Sequence, residues 1–229
     1  MRKKKKIDLR KNIGWLGLVL LIPSLLLNLY QYSNRKQEDT FLVTKILDGD
    51  TFVTEDKSVV RLFAISAPEF DLCGGEEAKE ALTKEVLNKR VSLDTKVRGS
   101  KGRKIAMVYK QGEIVNAELL KTGWYSFEGG KTDDRDLLKS AYDSVRKEKK
   151  GIYSQQCTQL ENLENPKCKI KGNISVNDEG KFYHFPGCGR YEDVIVDLYR
   201  GDEWFCSEKE AEKAGFTKSK NCYKQKFEK

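Results

Sequence analysis

The sequence predicts an α+β protein in which a small barrel of five β-strands carries helices on its surface. Segments rich in Val, Ile, Phe and Thr, the composition typical of strands, recur along the first half of the chain. In order they are FLVTKI, TFVTE, VVRLFAI, VSLDTKV and KIAMVYK. Turn-forming pairs such as Asp48-Gly49 separate them. Five strands with interleaved helices indicate a barrel of the OB type, which we assign to residues 41–157.

Three amphipathic segments supply the predicted helices of this barrel unit. Residues 76–89 begin with glutamates and contain lysines later, which complements the helix macrodipole. Residues 115–123 end at Gly123, a residue that suits the position after a helix C-terminus. Residues 134–151 have a basic last turn, and helical periodicity gives them one apolar face. That face contains Leu137, Leu138, Ala141, Tyr142 and Val145.

The first 34 residues predict a cytoplasmic tail and a single transmembrane signal-anchor. Residues 1–12 hold seven basic residues and one acidic residue, and no charged residue follows before Arg35. About 20 apolar residues cross the hydrocarbon core of a bilayer. Because basic flanks stay in the cytoplasm, everything beyond a linker at residues 35–40 would lie outside the cell. A cleaved signal peptide and secretion are the alternative, although residues 29–33 are bulkier than a cleavage site favours.

The charge of the chain is concentrated at its start. The net charge is +8, and residues 1–12 account for +6 of it, which leaves +2 for residues 13–229. A body this close to neutrality has no broad basic surface for nucleic acid. Any positive charge that binds a nucleic acid must therefore come from a local group of residues.

A second, smaller unit is predicted after a polar linker at residues 158–167. Residues 168–229 contain four of the six cysteines, Cys168, Cys188, Cys206 and Cys222. A unit of this size has a thin core and usually needs disulfides or a metal. Outside the cytoplasm disulfides are the favoured state, and four cysteines allow three pairings. Surface adhesion, substrate capture and stabilisation all remain open as functions of the unit.

A Zn²⁺ site is the alternative for the second unit, because its tail loosely resembles the zinc module of bacterial alkylation-repair proteins. The ligands would be the four cysteines, or three of them with His184. Their wide spacing lacks the CxxC pair that zinc sites favour, so the prediction is two disulfides. Within this unit Ser207 and Glu210 predict a capping box, and Gly215 predicts the end of the helix that follows.

Charged residues suited to catalysis lie close together in the segment KILDGDTFVTEDKSVVRLFAISAPE. It contains Asp48, Asp50, Arg61 and Glu69, and a second arginine, Arg103, follows in GSKGRKIAMVY. A guanidinium group binds two phosphate oxygens at once, which a lysine cannot do. The single histidine of the chain lies far from this segment, so a general base here would be a carboxylate. Two arginines and a carboxylate indicate phosphodiester chemistry.

Six motifs in this order resemble the staphylococcal (micrococcal) nuclease family. They are LDGDTF, VRLFAISAPE, CGGEEAKEALTKEVL, KGRKIAMVY, EIVNAELLKTGW and GIYSQQC. The resemblance implies Ca²⁺-dependent hydrolysis of DNA or RNA on an OB-type barrel. It implies that Arg61 and Arg103 are catalytic and that Glu69 is the general base. It also implies that Asp50 is a direct calcium ligand and that Asp48 is a nearby carboxylate of the metal site.

One position departs from the family pattern and affects the metal site. An aspartate is usual two residues before Pro68, where this chain has Ser66. Calcium affinity depends on the number of charged ligands, so we expect a weak site. The aspartate usually found shortly before the second arginine is also missing, and Asp71 is a candidate substitute. Three functions stay open: a nuclease with weak or altered metal dependence, a nucleic-acid-binding module without catalysis, and a structural or protein-binding domain.

The resemblance also implies a substrate-binding aromatic pair and a disulfide. Tyr125 and Phe127 follow Gly123 roughly where the family contacts a nucleobase, and stacking would suit single-stranded ends. Packing in the core or in the loop is the alternative for both rings. Exported relatives often carry a cysteine pair at the positions of Cys73 and Cys157, so we expect this bridge.

Overall fold

The computed structural model describes Ser24 and residues 39–99, 102–175, 180–222 and 225–227. In these parts of the chain no helix combines the length and the apolar character needed to cross a membrane. Apart from Ser24, the anchor predicted within the first 34 residues lies outside the described residues, so it stays a prediction. The fold described below belongs to one compact unit, Thr40–Lys229.

The elements are numbered in chain order. The strands are β1 (Thr40–Ile46), β2 (Thr51–Thr54), β3 (Val59–Leu62), β4 (Ile65–Ser66), β5 (Arg90–Arg98), β6 (Lys104–Lys110), β7 (Glu113–Ile114), β8 (Ser126–Phe127), β9 (Thr158–Gln159), β10 (Ile170–Ser175), β11 (Gly180–His184), β12 (Val196–Asp197), β13 (Glu203–Phe205) and β14 (Thr217–Lys218). The α-helices are α1 (Gly75–Val86), α2 (Val115–Thr122), α3 (Arg135–Lys147) and α4 (Glu208–Lys213). Short 3₁₀ helices cover Gly151–Tyr153, Tyr191–Asp193, Leu198–Arg200 and Lys220–Cys222.

Strands β1, β2, β3, β5 and β6 form the predicted five-stranded barrel. Strand β1 lies between β2 and β5, β3 follows β2, and β6 follows β5, all in antiparallel pairs. A parallel pairing of β3 with β6 closes the barrel. The apolar faces of these strands pack with α1, α2 and α3 into one core. The OB-type barrel with its three helices is therefore confirmed.

The strand predicted from the run VVRLFAI is interrupted, and the interruption shapes the site. Strand β3 ends at Leu62 and a separate two-residue strand, β4, begins at Ile65. Between them Ala64 has a φ of 65°, a left-handed conformation that a strand cannot contain. Strand β4 leaves the barrel and pairs with β8 instead. The chain after Ala64 is thereby directed away from β3, and it carries Ser66 and Glu69.

The three predicted helices form, with changes at their ends. Helix α1 stops at Val86 rather than residue 89, because Leu87 is extended and Asn88 has a φ of 58°. Helix α2 ends at Thr122, and the φ of 88° at the next residue, Gly123, confirms its predicted role after the helix. Helix α3 buries Leu138, Ala141 and Val145 as predicted. In contrast, Leu137 is 47% exposed and does not belong to the buried face.

The C-terminal part has its own sheet and its own core. Strands run in the order β13-β10-β11-β14, and α4 packs on them. At the start of α4 the Ser207 hydroxyl accepts the Glu210 N–H at 3.3 Å, as a capping box requires. The carboxylate of Glu210 accepts the N–H of Cys206 at 2.9 Å, one residue earlier than the box predicts. Gly215 follows the helix with a φ of 86°.

All six cysteines are paired in disulfides. The bridges are Cys73–Cys157, Cys168–Cys206 and Cys188–Cys222. The first confirms the bridge that the family resemblance implied, and the other two select one of the three pairings open to the second unit. The Zn²⁺ alternative is overturned, because no thiolate remains as a ligand. His184 is a partly buried residue of β11, and burial lowers the pKa of its imidazole.

The predicted linker begins as structured chain. Thr158 and Gln159 form β9, which pairs with Val196 and Asp197 of β12. Nearby, the rings of Tyr153 and Tyr199 meet edge to face, with their centroids 6.0 Å apart. These contacts join the barrel to the C-terminal sheet next to the Cys73–Cys157 bridge. The domain boundaries drawn from the sequence stay a prediction.

Removing the Cys73–Cys157 bridge should lower the stability of the folded chain. The bridge closes a loop of 84 residues, so the chain-entropy model gives a loss of about 4–5 kcal/mol for Cys73→Ser/Cys157→Ser. Urea unfolding of this double variant and of the wild type under oxidising conditions measures the difference. Equal free energies of unfolding would contradict a stabilising role for the bridge.

Candidate active site

Strand register brings the first two charged groups together. Asp48 and Asp50 lie in the turn between β1 and β2, where the Asp48 carboxylate accepts the Asp50 N–H at 3.0 Å. Arg61 lies on β3 directly opposite Thr51, the residue after Asp50. The backbone carbonyl of Asp50 also accepts the N–H of Leu62 at 2.9 Å, which ties this turn to β3. The Arg61 side chain therefore starts within reach of the Asp50 carboxylate.

Asp50 is a buried carboxylate whose two oxygens are both hydrogen-bonded. Its side chain is 4% exposed, and its Oδ1 accepts Arg61 Nη1 at 2.6 Å in an ion pair. The Thr51 hydroxyl donates to the same oxygen at 2.8 Å. On the other side Oδ2 accepts the Ala67 N–H at 3.2 Å. These donors compensate for the loss of hydration that a buried charge would otherwise suffer.

Ser66 completes the contacts of the guanidinium. Arg61 Nη2 donates to the Ser66 hydroxyl oxygen at 2.9 Å, and that hydroxyl lies 3.5 Å from Asp50 Oδ2. Arg61 thus bridges the turn after β1 and the end of β4. Its side chain is 31% exposed, so further N–H groups face solvent. The family has an aspartate at this position, whereas this chain has Ser66, a neutral residue that accepts a hydrogen bond from Arg61.

Glu69 lies on the rim of the same pocket. The pocket has a volume of about 40 Å³ and is lined by Asp48, Gly49, Asp50, Arg61, Ser66, Ala67, Pro68 and Glu69. Gly75, at the start of α1, fixes the backbone of Glu69, because a Cβ at this glycine would lie 2.0 Å from the Glu69 carbonyl oxygen. So small a pocket cannot enclose a nucleotide, and a substrate would lie across its mouth.

Arg103 is the one predicted catalytic residue that does not line this pocket. It directly precedes β6, in which Ile105 pairs with Arg61. Arg103 therefore lies two residues, or about 7 Å of extended chain, before the position beside Arg61. Its side chain packs near Gly99, whose N–H donates to the Arg103 carbonyl at 2.8 Å. The structure places Arg61 on β3 and Arg103 just before β6, the strand that pairs with β3.

The electrostatics of the pocket are dominated by acidic groups. Burial raises the pKa of the Asp50 carboxyl and Asp48 adds to that increase, while Arg61, the Thr51 hydroxyl and the Ala67 N–H act against it. The net direction is upward. The charged residues that line the pocket are three carboxylates and one arginine. An incoming phosphodiester therefore needs positive charge from outside this lining.

Two larger cavities lie elsewhere and do not contain the predicted site. One, of about 600 Å³, is bordered by Tyr191 and Trp204 of the C-terminal part. The other, of about 470 Å³, is bordered by Arg146 and Tyr153 next to β9. We place the candidate site in the smaller pocket because ionisable groups suited to phosphate chemistry converge there.

Comparison with known proteins identifies the family. The family model described as "Staphylococcal nuclease homologue" matches residues 59–155. Protein ParB of Escherichia coli is 33% identical over 127 residues, a match that covers 49% of this chain and 71% of the relative. The chain belongs to the staphylococcal nuclease family.

A further relative of this nuclease-family chain comes from another bacterium. An uncharacterized endonuclease of Haemophilus influenzae is 35% identical over 109 residues, which cover 46% of this chain. The chain spans 61% of the length of that relative. Both relatives match only about half of this chain, and the family model ends at residue 155. The residues matched by the family model lie within the barrel unit.

The pocket offers only a depleted ligand set for the calcium ion implied by the family. Asp50 is the only buried carboxylate of the pocket, and Arg61 already neutralises it. Ser66 offers a neutral hydroxyl that is held by the same arginine. Among the described residues, no three side chains of Asp, Glu, His or Cys lie close enough together to hold a metal ion. This finding includes Asp71, the candidate substitute ligand.

Of the predicted aromatic pair, Tyr125 offers no binding face. Tyr125 is fully buried, and its hydroxyl donates to the carbonyl of Ala78 in α1 at 2.6 Å. Its ring therefore belongs to the core and offers no surface to a base, which corrects the stacking role implied by the family. Phe127 is partly buried on β8, and its ring lies 5.9 Å from that of Tyr142. Packing, the alternative, is confirmed for Tyr125, whereas a substrate contact of Phe127 stays a prediction.

Two groups of the site were missed in the sequence. The Thr51 hydroxyl and the Ala67 N–H both donate to Asp50, and without them its charge would be poorly compensated. The role of Thr51 could have been predicted from the sequence, because a hydroxyl directly after an aspartate can donate a hydrogen bond to that carboxylate. The Ala67 contact depends on the interruption at Ala64, which left no signal in the composition.

Replacing Arg61 should destabilise the protein in a pH-dependent way. In Arg61→Gln the Asp50 charge loses its partner, so we expect a loss of about 2–3 kcal/mol at pH 7, less than for a fully buried pair. The folded-state pKa of Asp50 would rise further above the unfolded value. Stability is then lost as the pH rises through that raised pKa and regained as the pH falls toward about 4. Urea unfolding between pH 4 and pH 8 measures this trend.

The matched control is Arg90→Gln. Arg90 pairs with Glu55 on the surface, where the two side chains are 56% and 41% exposed. An exposed pair contributes below about 1 kcal/mol, so this variant should differ little from the wild type at every pH. If Arg61→Gln lost as much stability at pH 4.5 as at pH 7.5, its effect would not come from the Asp50 charge.

Proposed function

We propose that this protein is a nuclease that hydrolyses phosphodiester bonds of DNA, RNA or both. The observation that carries the proposal is the position of Arg61, held by the buried Asp50 at the mouth of a pocket that Glu69 also lines. A guanidinium fixed in this way is preorganised for the oxygens of a phosphate group. Membership of the nuclease family supports the same chemistry.

The residues of this chain divide the reaction between them. Glu69 takes a proton from the attacking water, whose oxygen forms the new bond to phosphorus. Arg61 donates hydrogen bonds to the phosphate oxygens as negative charge develops on them. The bond from phosphorus to the leaving oxygen then breaks, and solvent protonates the departing alkoxide. Arg103, two residues before the partner of Arg61 on β6, supplies a second positive charge when the substrate is bound.

We assign Asp50 the role of a positioning residue. It contacts the arginine rather than the substrate, and its other hydrogen bonds fix its own orientation. In relatives of the family a bound calcium ion supplies positive charge to the phosphate. Here the pocket lining lacks a complete ligand set, so we assign that charge chiefly to the two arginines and expect weak calcium binding.

Export from the cytoplasm is part of the proposal. The support comes from three disulfides, which are rare in cytoplasmic proteins and common in exported ones. Anchoring by the first 34 residues remains a prediction from sequence alone, with secretion as its alternative. A nuclease outside the cytoplasm would act on nucleic acid from the environment.

A second candidate function is binding of nucleic acid without cleavage. It is favoured by Ser66, because loss of a charged ligand weakens calcium binding and leaves the pocket with an internally neutralised carboxylate. The first experiment below separates the two functions, since a binding module would retain nucleic acid without shortening it.

Cleavage should depend on Arg61 and Glu69. In an assay of the full chain with plasmid DNA and with RNA, Arg61→Ala and Glu69→Gln should each lower the rate by at least about 10²-fold. Arg61→Lys keeps the charge but loses the two-pronged contact, so it should also be slow while remaining more stable than the alanine variant. Glu113→Gln, an exposed carboxylate of β7, is the control and should cleave like the wild type.

The outcomes of this assay distinguish the candidates. Unchanged rates in the Arg61 and Glu69 variants would sink the assignment of the pocket as the catalytic site. A wild type that binds both nucleic acids without cleaving either would support the binding function in its place. Retention of both nucleic acids is measured by gel shift on the same samples.

Adding a carboxylate at position 66 should create a stronger calcium site. Ser66→Asp supplies a second negative ligand beside Asp50, and affinity rises with ligand charge. We expect Ca²⁺ to bind the variant at least about 10-fold more tightly than the wild type. Isothermal titration calorimetry without nucleic acid measures this directly, with Ser66→Asn as a neutral control. Tight Ca²⁺ binding by the wild type would contradict our assignment of a depleted site.

A further inference from the structure

Phe70 is an exposed aromatic residue directly after Glu69. Its side chain is 60% exposed, more than any other large apolar side chain in the described parts of the chain. Other strongly exposed apolar residues, Leu160 and Leu163, border the larger cavities away from the candidate site. Phe70 instead directly follows Glu69, the last residue along the chain that lines the pocket.

The backbone that carries Phe70 is held in place. The Leu72 N–H donates to the Glu69 carbonyl, and the Gly75 N–H donates to the Leu72 carbonyl, each at 3.0 Å. Gly75 packs so tightly here that a Cβ would lie 2.9 Å from the Phe70 Cα. Cys73 in the same loop is bridged to Cys157. The ring is therefore presented from a fixed loop, which lowers the entropy lost when a ligand binds it.

A lysine from helix α1 accompanies the ring. Lys79 Nζ lies 5.3 Å from the centroid of Phe70, within the range of a cation–π contact. An aromatic face together with a cation is the combination with which proteins bind single-stranded nucleic acid, the ring stacking on a base and the cation attracting the backbone. Lys79 adds a positive charge beside the ring, whereas the lining of the pocket is mainly acidic.

We propose that Phe70 and Lys79 form a nucleotide subsite beside the candidate active site. The ring of Phe70 stacks on the base that flanks the scissile bond, and Lys79 contacts a neighbouring phosphate. Because stacking needs an unpaired base, the subsite favours single-stranded DNA or RNA over a duplex. This inference rests on the proposed nuclease function and names the substrate form that the site selects.

The test compares ligands with and without bases. In the full chain carrying Glu69→Gln, which slows cleavage, the dissociation constant is measured by fluorescence anisotropy. The ligands are an eight-residue oligothymidylate and an oligomer of the same length with baseless sugars. Phe70→Ala should weaken binding of the thymidylate roughly 5- to 100-fold and leave the baseless oligomer nearly unchanged. Phe70→Trp should bind thymidylate at least as tightly as the parent.

The Lys79 variant and a control variant should change the two dissociation constants in different ways. Lys79→Met should weaken both ligands to the same extent and reduce the salt dependence of binding, because it removes a phosphate contact. Leu137→Ala changes an apolar residue of α3 that is 47% exposed, and it should bind both ligands like the parent. Circular dichroism of each variant checks that the fold is retained, which the exposure of Phe70 leads us to expect.

The failure of this proposal is distinct from failure of the nuclease proposal. If Phe70→Ala bound both oligomers as tightly as the parent, the subsite would be refuted while cleavage by the wild type still stood. Equal loss of binding to the two oligomers would likewise overturn stacking, since the baseless ligand has nothing to stack. If the wild type neither cleaved nor bound nucleic acid, the nuclease proposal itself would fall.

Discussion

The ion pair between Asp50 and Arg61 is the interaction on which the candidate site depends. A carboxylate that is 4% exposed is tolerable only when hydrogen bonds and an opposite charge replace its hydration. Its donors come from three different places: the start of β2, strand β3 and the turn after β4. One buried charge therefore fixes the relative positions of three segments, and it orients the guanidinium at their junction.

The same contact sets a limit on what the pocket can bind. Arg61 is the only positive group in a lining that also contains three carboxylates, and one edge of its guanidinium already faces Asp50 and Ser66. A phosphodiester would be repelled unless positive charge comes from elsewhere. The candidates are Arg103 just before β6, Lys79 on α1, or a cation. The near-neutral body of the chain makes these local contributions decisive.

Sequence patterns predicted the barrel because each strand carried its own signal of composition, and Gly123 marked a helix end through its backbone freedom. They failed where the structure depends on distant partners or on the sign of a dihedral angle. The positive φ of Ala64 splits a run that reads as one strand. Burial of Tyr125 depends on a carbonyl of α1, 47 residues earlier in the chain. The sequence showed which residue types form the site. Their contacts with one another could be seen only in the folded structure.

The C-terminal part bears on the site through the loop that carries Glu69 and Phe70. The carbonyl of Cys157 accepts the N–H of Leu198 at 2.8 Å, and Cys157 is bridged to Cys73 within that loop. Strand β12 adds a second attachment by pairing with β9. These links tie the loop to the C-terminal part of the chain. Because a general base must be held within a fraction of an ångström of the attacking water, these restraints connect a part of the chain outside the family match to the chemistry of the barrel.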